Sequence, residues 1–417
     1  MVETSNLEKL DAQNFLSVRE KDGFYIDKTS FIREFWENKA TGNIITRPRG
    51  FGKTWNMNML ECFFSIKYKD RGEELFGGLE IWNDAYYRSI QGTYPVISIS
   101  LSAVNADNPE DAIKQIKQLI VDVYSEYRFI LDTDVLNSNE QDFFKMVTPE
   151  MKDTTATYAL DRLSSYLYEY YGKDVILLVD AYDTPMLKGC EHGYADEILA
   201  FTDTFFLWSC ENLTGGGAHL ERYLLMGVTC MDVYDLHVEI VTTTRNAYET
   251  CFGFTEEETH KICQEFGELN IEHVLKNWYG GYIFGDATAQ KELVCPNSLL
   301  SFIRNSAFGT YSLGNDINVI RPWLSNEYVV AVLKKLFDYE TITIKAYAPE
   351  IYIYNPSCEI SSNVYTYLLA AGYLQIVSVA KESYPWKYTL RANVEATHAL
   401  WDFMHGTKEA SLQTKRR

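Results

Sequence analysis

Short apolar runs alternate with stretches of helical periodicity through the first 250 residues of the chain. The clearest run covers residues 175–179, five consecutive apolar residues that end at an acid, Asp180. A continuous apolar run of this length is typical of a central strand that is buried on both faces. Shorter runs at residues 44–45, 94–101 and 223–229 predict further strands.

Between these runs, apolar residues recur every three or four positions, as they do on one face of a helix. They are Ile113, Ile116, Leu119, Ile120 and Val123 in one stretch, and Leu160, Leu163, Leu167 and Tyr170 in the next. Strands that alternate with helices predict an α/β fold with a parallel sheet and helices on both sides. We place this core at residues 41–250, after a leader segment at residues 1–40.

The pattern becomes mainly helical near Thr255, which forms a capping-box pattern with Glu258 and predicts a helical section over residues 251–305. The following section, residues 306–405, has a predicted helix at 364–371. A predicted hairpin comes after it, with strands at 373–377 and 387–391 that flank Glu382-Ser-Tyr-Pro. A helix followed by such a hairpin resembles a winged-helix domain. Residues 406–417 contain few apolar side chains and are predicted to be a flexible tail.

A glycine-bearing turn separates the first apolar run from a predicted helix. It reads Thr46-Arg-Pro-Arg-Gly-Phe-Gly-Lys-Thr54, and the helix follows from Trp55. Strand, turn and helix in this order form a phosphate-binding loop, in which backbone N–H groups surround phosphate oxygens at a helix N-terminus. Lys53 would reach the outer phosphates and Thr54 would bind Mg²⁺. Taken alone, the turn also fits an ordinary surface turn, because Arg47 stands where the usual first glycine would be.

Asp180 supplies the second element of such a site. Ligands of open parallel sheets bind at the carboxyl ends of the strands, and Asp180 is predicted to stand at that edge. Its carboxylate would hold Mg²⁺ together with Thr54. The two elements together predict a nucleotide-binding protein.

Composition limits the other possibilities. The 417-residue chain has 46% hydrophobic and 23% charged residues, as expected of a globular protein, and a net charge of −20 that disfavours a broad nucleic-acid surface. The start of the chain has no signal-peptide pattern, and no apolar run is long enough to span a membrane. Eight scattered cysteines without paired spacing predict free thiols in a reducing compartment, hence an intracellular protein, cytoplasmic or nuclear.

Five motifs, in this order and spacing, resemble a known family. They are Tyr25-Ile-Asp-Lys-Thr29, the turn from Thr46 to Thr54, Val179-Asp-Ala-Tyr-Asp-Thr-Pro185, Phe252-Gly-Phe-Thr-Glu-Glu257 and Trp278-Tyr-Gly-Gly-Tyr282. They are similar to those of the predicted AAA-ATPase-like proteins of bacteria and fungi, which often carry a restriction-endonuclease-like nuclease domain at the C-terminus. The chain ends near where that domain would begin. The family has Arg-Pro-Arg in the turn, which accounts for Arg47.

The resemblance implies a P-loop NTPase with a parallel sheet of the additional-strand type, a helical lid at residues 251–305 and ATP with Mg²⁺ as cofactors. One departure affects the activity. The family has Asp-Glu-Tyr-Asp after its apolar strand, whereas this chain has Asp180-Ala181-Tyr182-Asp183. The missing glutamate would position the attacking water, so the resemblance implies ATP binding with slow hydrolysis. The alternatives are a non-hydrolysing, nucleotide-gated interaction protein and a regulatory ATPase part of a nuclease system.

The remaining candidates have two interpretations each. Asp183 would assist the metal or water, or cap the following turn. Thr229 would sense the outer phosphate, or only pack. Arg47 and Arg49 would touch phosphate or brace an acidic partner, while Gly50, Phe51, Gly52 and Trp55 complete the loop that holds the nucleotide. A protein partner or a second copy of the chain is a further expectation.

Overall fold

The computed structural model describes residues 10, 14–211, 219–231, 236–285, 290–314, 317–338, 340–346, 353–354, 360–380 and 385–405. The predicted tail at residues 406–417 and most of the first 13 residues lie outside these ranges. No helix in the described ranges is both long enough and apolar enough to cross a membrane.

Strands and helices alternate through the first part of the chain, and their order becomes less regular in the last third. The strands are β1 Gly42–Thr46, β2 Val96–Ser100, β3 Val175–Asp180, β4 Leu220–Gly227, β5 Cys230–Met231, β6 Val238–Val241, β7 Tyr282–Phe284, β8 Lys291–Leu293, β9 Ile342–Ala346, β10 Ile353–Tyr354, β11 Gln375–Ala380 and β12 Trp386–Arg391. The helices from the first half are α1 Phe15–Glu20, α2 Ser30–Glu37, α3 Lys53–Phe64, α4 Gly72–Phe76, α5 Ala85–Ile90, α6 Pro109–Glu126, α7 Ser138–Met146, α8 Asp153–Tyr171, α9 Thr184–His192 and α10 Ala195–Cys210. The later helices are α11 Glu256–Glu265, α12 Glu272–Tyr279, α13 Pro296–Asn305, α14 Glu327–Phe337, α15 Ile360–Ala370 and α16 Val394–His405.

The centre of the molecule is a five-stranded sheet with the order β2-β3-β4-β1-β6. Every neighbouring pair is parallel. The predicted α/β fold with a parallel sheet is therefore confirmed. Strand β4 lies between β1 and β3, which is the position of an additional strand. Because the register pairs Thr46 with Gly227 and Ser100 with Asp180, four strands end at the same edge.

Both faces of the sheet are covered by helices, which explains why residues 175–179 of β3 are all apolar. Val175, Leu177 and Val179 pack into one core with residues of α6, α8 and α10. Ile176 and Leu178 point to the other face, where they pack with residues of α2 and α3. Successive strand residues face opposite sides, so a strand between two helical layers needs apolar residues at every position.

The residues after 250 build a separate apolar cluster and a small second sheet. Phe254, Ile262, Leu275 and Leu299 form the cluster between α11, α12 and α13. The second sheet is antiparallel, with the order β11-β12-β9, and its β11–β12 pair contains the predicted hairpin. The lid and winged-helix interpretations and the domain boundaries stay predictions.

The first hairpin strand starts two residues later than its sequence predicts, at Gln375. The backbone N–H groups of Tyr373 and Leu374 donate to the carbonyl oxygen of Leu368, at 2.8 and 3.0 Å. These two residues therefore complete the C-terminus of α15 and are not available to the strand.

Candidate nucleotide-binding site

A large cavity of about 1230 Å³ opens at the carboxyl edge of the central sheet. The β1–α3 loop and the ends of β3 and β4 line one part of it. Apolar residues of the leader segment and of α13 line another part, including Phe24, Ile26 and Leu300. The position agrees with the rule that parallel α/β sheets bind ligands beyond the carboxyl ends of their strands.

The loop between β1 and α3 leaves the first turn of α3 open toward this cavity. Gly52 precedes the helix with a left-handed backbone (φ 83°), and no side chain caps the helix N-terminus. Residues 49–56 line the cavity. Uncapped N–H groups at a helix N-terminus, together with the helix dipole, favour an anion such as phosphate.

Thr54 and Asp180 meet at this edge although they are far apart in sequence. The Thr54 hydroxyl donates a hydrogen bond of 2.8 Å to Oδ2 of Asp180, and the Ser100 hydroxyl donates to the same oxygen at 3.3 Å. Asp180 is buried, and burial raises the pKa of its carboxyl above the usual value. The hydrogen bonds and nearby Lys53 oppose that shift. The structure thus brings together the two residues predicted to hold Mg²⁺.

Lys53 points back over its own loop. Its Nζ donates to the carbonyl oxygens of Arg47 and Pro48, at 2.8 and 2.9 Å. Burial lowers the pKa of Lys53 to about 8, while the carboxylates of Asp183 and Asp180 favour its charged form. The lysine is therefore a cation whose charge is poorly compensated, beside the open helix N-terminus.

Ala181 lines the cavity directly after Asp180 and has a left-handed backbone, with φ 53°. For a residue with a Cβ atom, this backbone conformation is less stable than a right-handed one by about 1–2 kcal/mol. The turn is held from both sides, because Tyr182 N–H donates to the Met226 carbonyl and Thr184 N–H donates to the Ala181 carbonyl, each at 3.0 Å. The structure places position 181 where the sequence predicts it, facing the same cavity as Lys53 and Thr54.

Asp183 also lines the cavity, but its carboxylate holds the end of β4. Its Oδ2 accepts hydrogen bonds from the backbone N–H groups of Val228 and Thr229 and from the Thr229 hydroxyl, at 2.9, 2.7 and 2.8 Å. The α9 helix receives no side-chain cap from it, so the expected capping role is wrong. Thr229 is fully buried behind Asp183 and does not line the cavity. Assistance by Asp183 to metal or water, and phosphate sensing by Thr229, stay predictions.

Arg47 differs from its expected role. Its side chain is 1% exposed and does not line the cavity. Its guanidinium group donates instead to the carbonyl oxygens of Thr46, Val241, Ala247 and Tyr248, at 2.8 to 3.4 Å. It also lies over the rings of Phe252 and Phe284. Burial lowers the pKa of Arg47 to about 10, which leaves it charged at neutral pH. We therefore revise its role from phosphate contact to support of the loop.

The other loop residues line the cavity, and Phe51 also packs against the rest of the molecule. Phe51 is buried and packs edge-on against Tyr282, with ring centroids 4.7 Å apart. It anchors the loop to β7. Arg49 is exposed and, like the half-buried Trp55, lines the cavity. Of the two arginines in the turn, Arg49 is the one placed to meet a ligand.

Ser100 and Ser102 also belong to the site, although the sequence analysis did not predict a role for them. Their oxygens lie 2.9 Å apart, and Ser100 reaches Asp180. Ser100 ends β2, the neighbour of β3. The rule that polar strand ends meet at one edge would have found Ser100 if it had been applied to every predicted strand.

A parallel sheet with an added strand between the loop-bearing strand and the acid-ended strand is consistent with a P-loop NTPase. A family model described as "Predicted AAA-ATPase" matches residues 9–237, more than half of the chain. The protein belongs to this predicted AAA-ATPase family. It is also 25% identical over 277 residues to an uncharacterised protein in the vnfD 5′ region of Azotobacter chroococcum mcd 1. That match covers 65% of this chain and 47% of the relative, so the chain spans about half of the relative's length.

The substitution Arg47→Ala separates the two roles of this residue. We expect it to lower the free energy of unfolding by at least about 2 kcal/mol, because buried carbonyl groups lose their donor. Urea denaturation of the parent and the variant measures this change. Arg49→Ala is the matched control and should change stability by less than about 0.5 kcal/mol. Equal stability of the parent and Arg47→Ala would contradict the supporting role.

Proposed function

We propose that this protein binds ATP with Mg²⁺ at the β1–α3 loop and hydrolyses it slowly. The observation that carries the proposal is the hydrogen bond of 2.8 Å between Thr54 and Asp180, beside Lys53 and an uncapped helix N-terminus. A hydroxyl, a buried carboxylate and a cation around one open edge are the groups that a magnesium nucleotide needs.

The donor set suits Mg²⁺. No group of three or more His, Cys, Asp or Glu that could hold a metal occurs in the described part of the chain. Mg²⁺ in nucleotide sites needs no such group, because it takes one or two protein oxygens and completes its shell with water and phosphate. Thr54 and Asp180 supply those oxygens. When bound, Mg²⁺ would neutralise negative charge on the phosphate oxygens.

The phosphate contacts in this proposal come from the N–H groups at the start of α3, from Lys53 and from Arg49. The base would lie in the apolar part of the cavity, between the leader segment and α13. A volume of about 1230 Å³ exceeds the 300–1,000 Å³ that is usual for small-ligand pockets, so a nucleotide fits.

The slow hydrolysis follows from Ala181. Among the residues that line the cavity, the carboxylates are Asp180 and Asp183. Asp180 is placed to serve the metal, and Oδ2 of Asp183 already accepts three hydrogen bonds from Val228 and Thr229. Neither is placed as well as a glutamate at position 181 to orient an attacking water.

Ala181 also favours a second candidate function. A protein that binds ATP without turnover would act as a nucleotide-gated interaction protein, with the helical lid at residues 251–305 closing over the nucleotide. The winged-helix-like section at residues 306–405 would then bind a protein, since a net charge of −20 disfavours nucleic acid. A regulatory ATPase part of a nuclease system is a separate alternative.

Removal of the Lys53 charge tests the binding proposal. Isothermal calorimetry should show binding of Mg·ATP by the parent, and Lys53→Ala should weaken it about 10- to 100-fold because a charge-assisted contact to phosphate is lost. Lys114→Ala on the exposed face of α6 is the matched control and should bind as the parent does. Equal affinity of all three proteins, or no binding by the parent, would contradict the proposal.

The pKa of Lys53 predicts proton uptake on binding. Burial lowers this pKa to about 8, so above pH 8 the free protein holds mostly neutral lysine. Nucleotide phosphates favour the charged form, so binding should take up a proton above about pH 8, and affinity should fall as the pH rises through 8. Calorimetry at pH 8.5 in two buffers with different ionisation enthalpies measures this uptake. Lys53→Arg should abolish it, because arginine stays charged.

Restoring the carboxylate at position 181 tests the cause of slow hydrolysis. Ala181→Glu should raise steady-state ATP turnover by about 10²–10⁴-fold with little change in affinity, because positioning the water affects the chemical step. Both residues carry a Cβ atom, so the left-handed backbone disfavours them alike. Lys53→Ala is the blank. Equal turnover by the parent and Ala181→Glu would show that another group, with Asp183 as the first suspect, orients the water.

A further inference from the structure

A buried carboxylate at the start of α16, Glu395, lies within the second half of the molecule but reaches toward the phosphate-binding loop. Its side chain is 0% exposed, and it belongs to the part of the chain outside the family match at residues 9–237. Oε1 accepts hydrogen bonds from the Ser298 hydroxyl at 2.9 Å and from the Ser312 N–H at 3.0 Å. Oε2 is buried and lacks a hydrogen-bond partner among the described residues.

The two serines connect Glu395 to Gly50 of the loop. Their hydroxyl oxygens lie 2.7 Å apart. A Cβ atom placed on Gly50 would lie 2.3 Å from the Ser312 hydroxyl oxygen and 2.8 Å from Sγ of Cys295, so the loop touches this group without a gap. From α13, the Asn297 N–H donates to the Gly50 carbonyl at 3.1 Å. Gly50 is therefore in contact with Ser312, which Glu395 holds, and is bonded to Asn297, whose side chain donates to the same Ser312 hydroxyl at 3.1 Å.

A second contact joins the same part of the chain to the loop. Gly372, which follows α15, packs against Pro48, and a methyl group on Gly372 would lie 2.8 Å from the Pro48 ring. Gln375 and Asn393 both donate to the Gly280 carbonyl, at 3.1 and 3.2 Å. The segments that precede Glu395 are thus fixed to the loop at Pro48 and to the end of α12 at Gly280.

We propose that Glu395 is a positioning residue of the phosphate-binding loop, which acts through Ser298 and Ser312 on Gly50. The inference rests on the proposed nucleotide function and deepens it. The carboxylate holds Ser298 and Ser312, and Ser312 packs directly on Gly50. Asn297, whose side chain donates to the Ser312 hydroxyl, holds the Gly50 carbonyl, so the loop is fixed in the position from which its N–H groups would meet phosphate. The strength of this support depends on the charge of Glu395, because an ionised acceptor makes hydrogen bonds roughly twice as strong as a neutral one.

The surroundings of Glu395 make that charge sensitive to pH near neutrality. Burial raises the pKa of its carboxyl to about 7, and the Ser312, Ser298 and Tyr311 groups oppose this shift only in part. The groups around it that titrate are themselves acids with raised pKa values: Tyr279 of α12, Tyr282 of β7, Cys295 before α13 and Tyr373 after α15. Arg49 of the loop acts on Tyr373, where its positive charge opposes the rise in the pKa of that tyrosine. On α16 itself, His398 stacks on Trp278.

The sign of the stability change follows from the raised pKa. The folded protein keeps a proton on Glu395 between the usual value of 4.5 and about 7, so this contribution to stability is present below pH 4.5 and lost as the pH rises through 7. Glu395→Gln removes the titration and keeps an acceptor for Ser298 and Ser312. The melting temperature of the parent should therefore fall relative to that of Glu395→Gln between pH 5 and pH 8.

The experiment compares Glu395→Gln, Glu395→Ala and Ser312→Ala with the parent. Hydrogen exchange of the loop peptide at residues 47–55, without nucleotide at pH 7.5, should be at least about tenfold faster in Glu395→Ala and Ser312→Ala. The ratio of the Mg·ATP dissociation constants of Glu395→Gln and the parent should rise about three- to tenfold between pH 6 and pH 8. This rise is expected because only the parent gains the charged acceptor. Asp161→Asn on α8 is the matched control, because Asp161 is a half-buried carboxyl whose pKa is also raised by burial, and this substitution should change neither quantity.

Each outcome decides the question. If the parent binds no nucleotide, the proposed function fails, while loop exchange still tests Glu395. If Glu395→Ala does not fold, Ser312→Ala and Glu395→Gln carry the test. Loop exchange that is unchanged in Ser312→Ala and Glu395→Ala, or a ratio of dissociation constants that stays constant with pH, overturns the inference.

Discussion

The buried guanidinium group of Arg47 is the interaction on which the geometry of the site depends. It ties the end of β1 to β6 and to the turn at residues 247–248, and it lies between the rings of Phe252 and Phe284. Burying an isolated charge is costly, so this arrangement requires the donated hydrogen bonds and the aromatic faces together. Because Arg47 is fixed, its backbone carbonyl is fixed too, and Lys53 Nζ is bound to that carbonyl. The support of one arginine thus sets the position of the lysine.

The sequence alone predicts the parts of the site that local pattern encodes. The apolar run that ends at Asp180, the turn before Lys53 and the alternation of strands and helices each follow from period and composition, and the structure has them at the expected places. The roles of Arg47, Asp183 and Thr229 were not predictable in the same way. Their partners lie on other strands and turns, and a charge near a phosphate-binding loop looks the same in sequence whether it faces the cavity or the core.

Contacts between distant parts of the chain, which the sequence does not predict, also connect the second half of the chain to the loop. The family match ends at residue 237, yet Phe51 packs on Tyr282 and Gly50 lies against Ser312. The loop is therefore shaped by two regions, and the family model matches only the first of them. The sequence indicated a helix and a hairpin near residues 364–391, but it gave no sign that this region touches the loop. Contacts between distant segments leave no periodic trace in either segment.

The bond between Thr54 and Asp180 has a consequence beyond metal binding. In a strand, a shift of one residue moves each side chain by about 3.3 Å and turns it to the opposite face. If β3 slipped by one position, Asp180 would leave Thr54, and Ile176 and Leu178 would exchange cores with Val175, Leu177 and Val179. Both cores are apolar and would tolerate that exchange, whereas Asp180 would lose its hydrogen-bond partner. The polar contact at the end of the strand therefore distinguishes the correct register where the apolar packing discriminates poorly. As a result, the pair that is placed to bind a ligand forms only when the strands of the sheet are paired in the correct register.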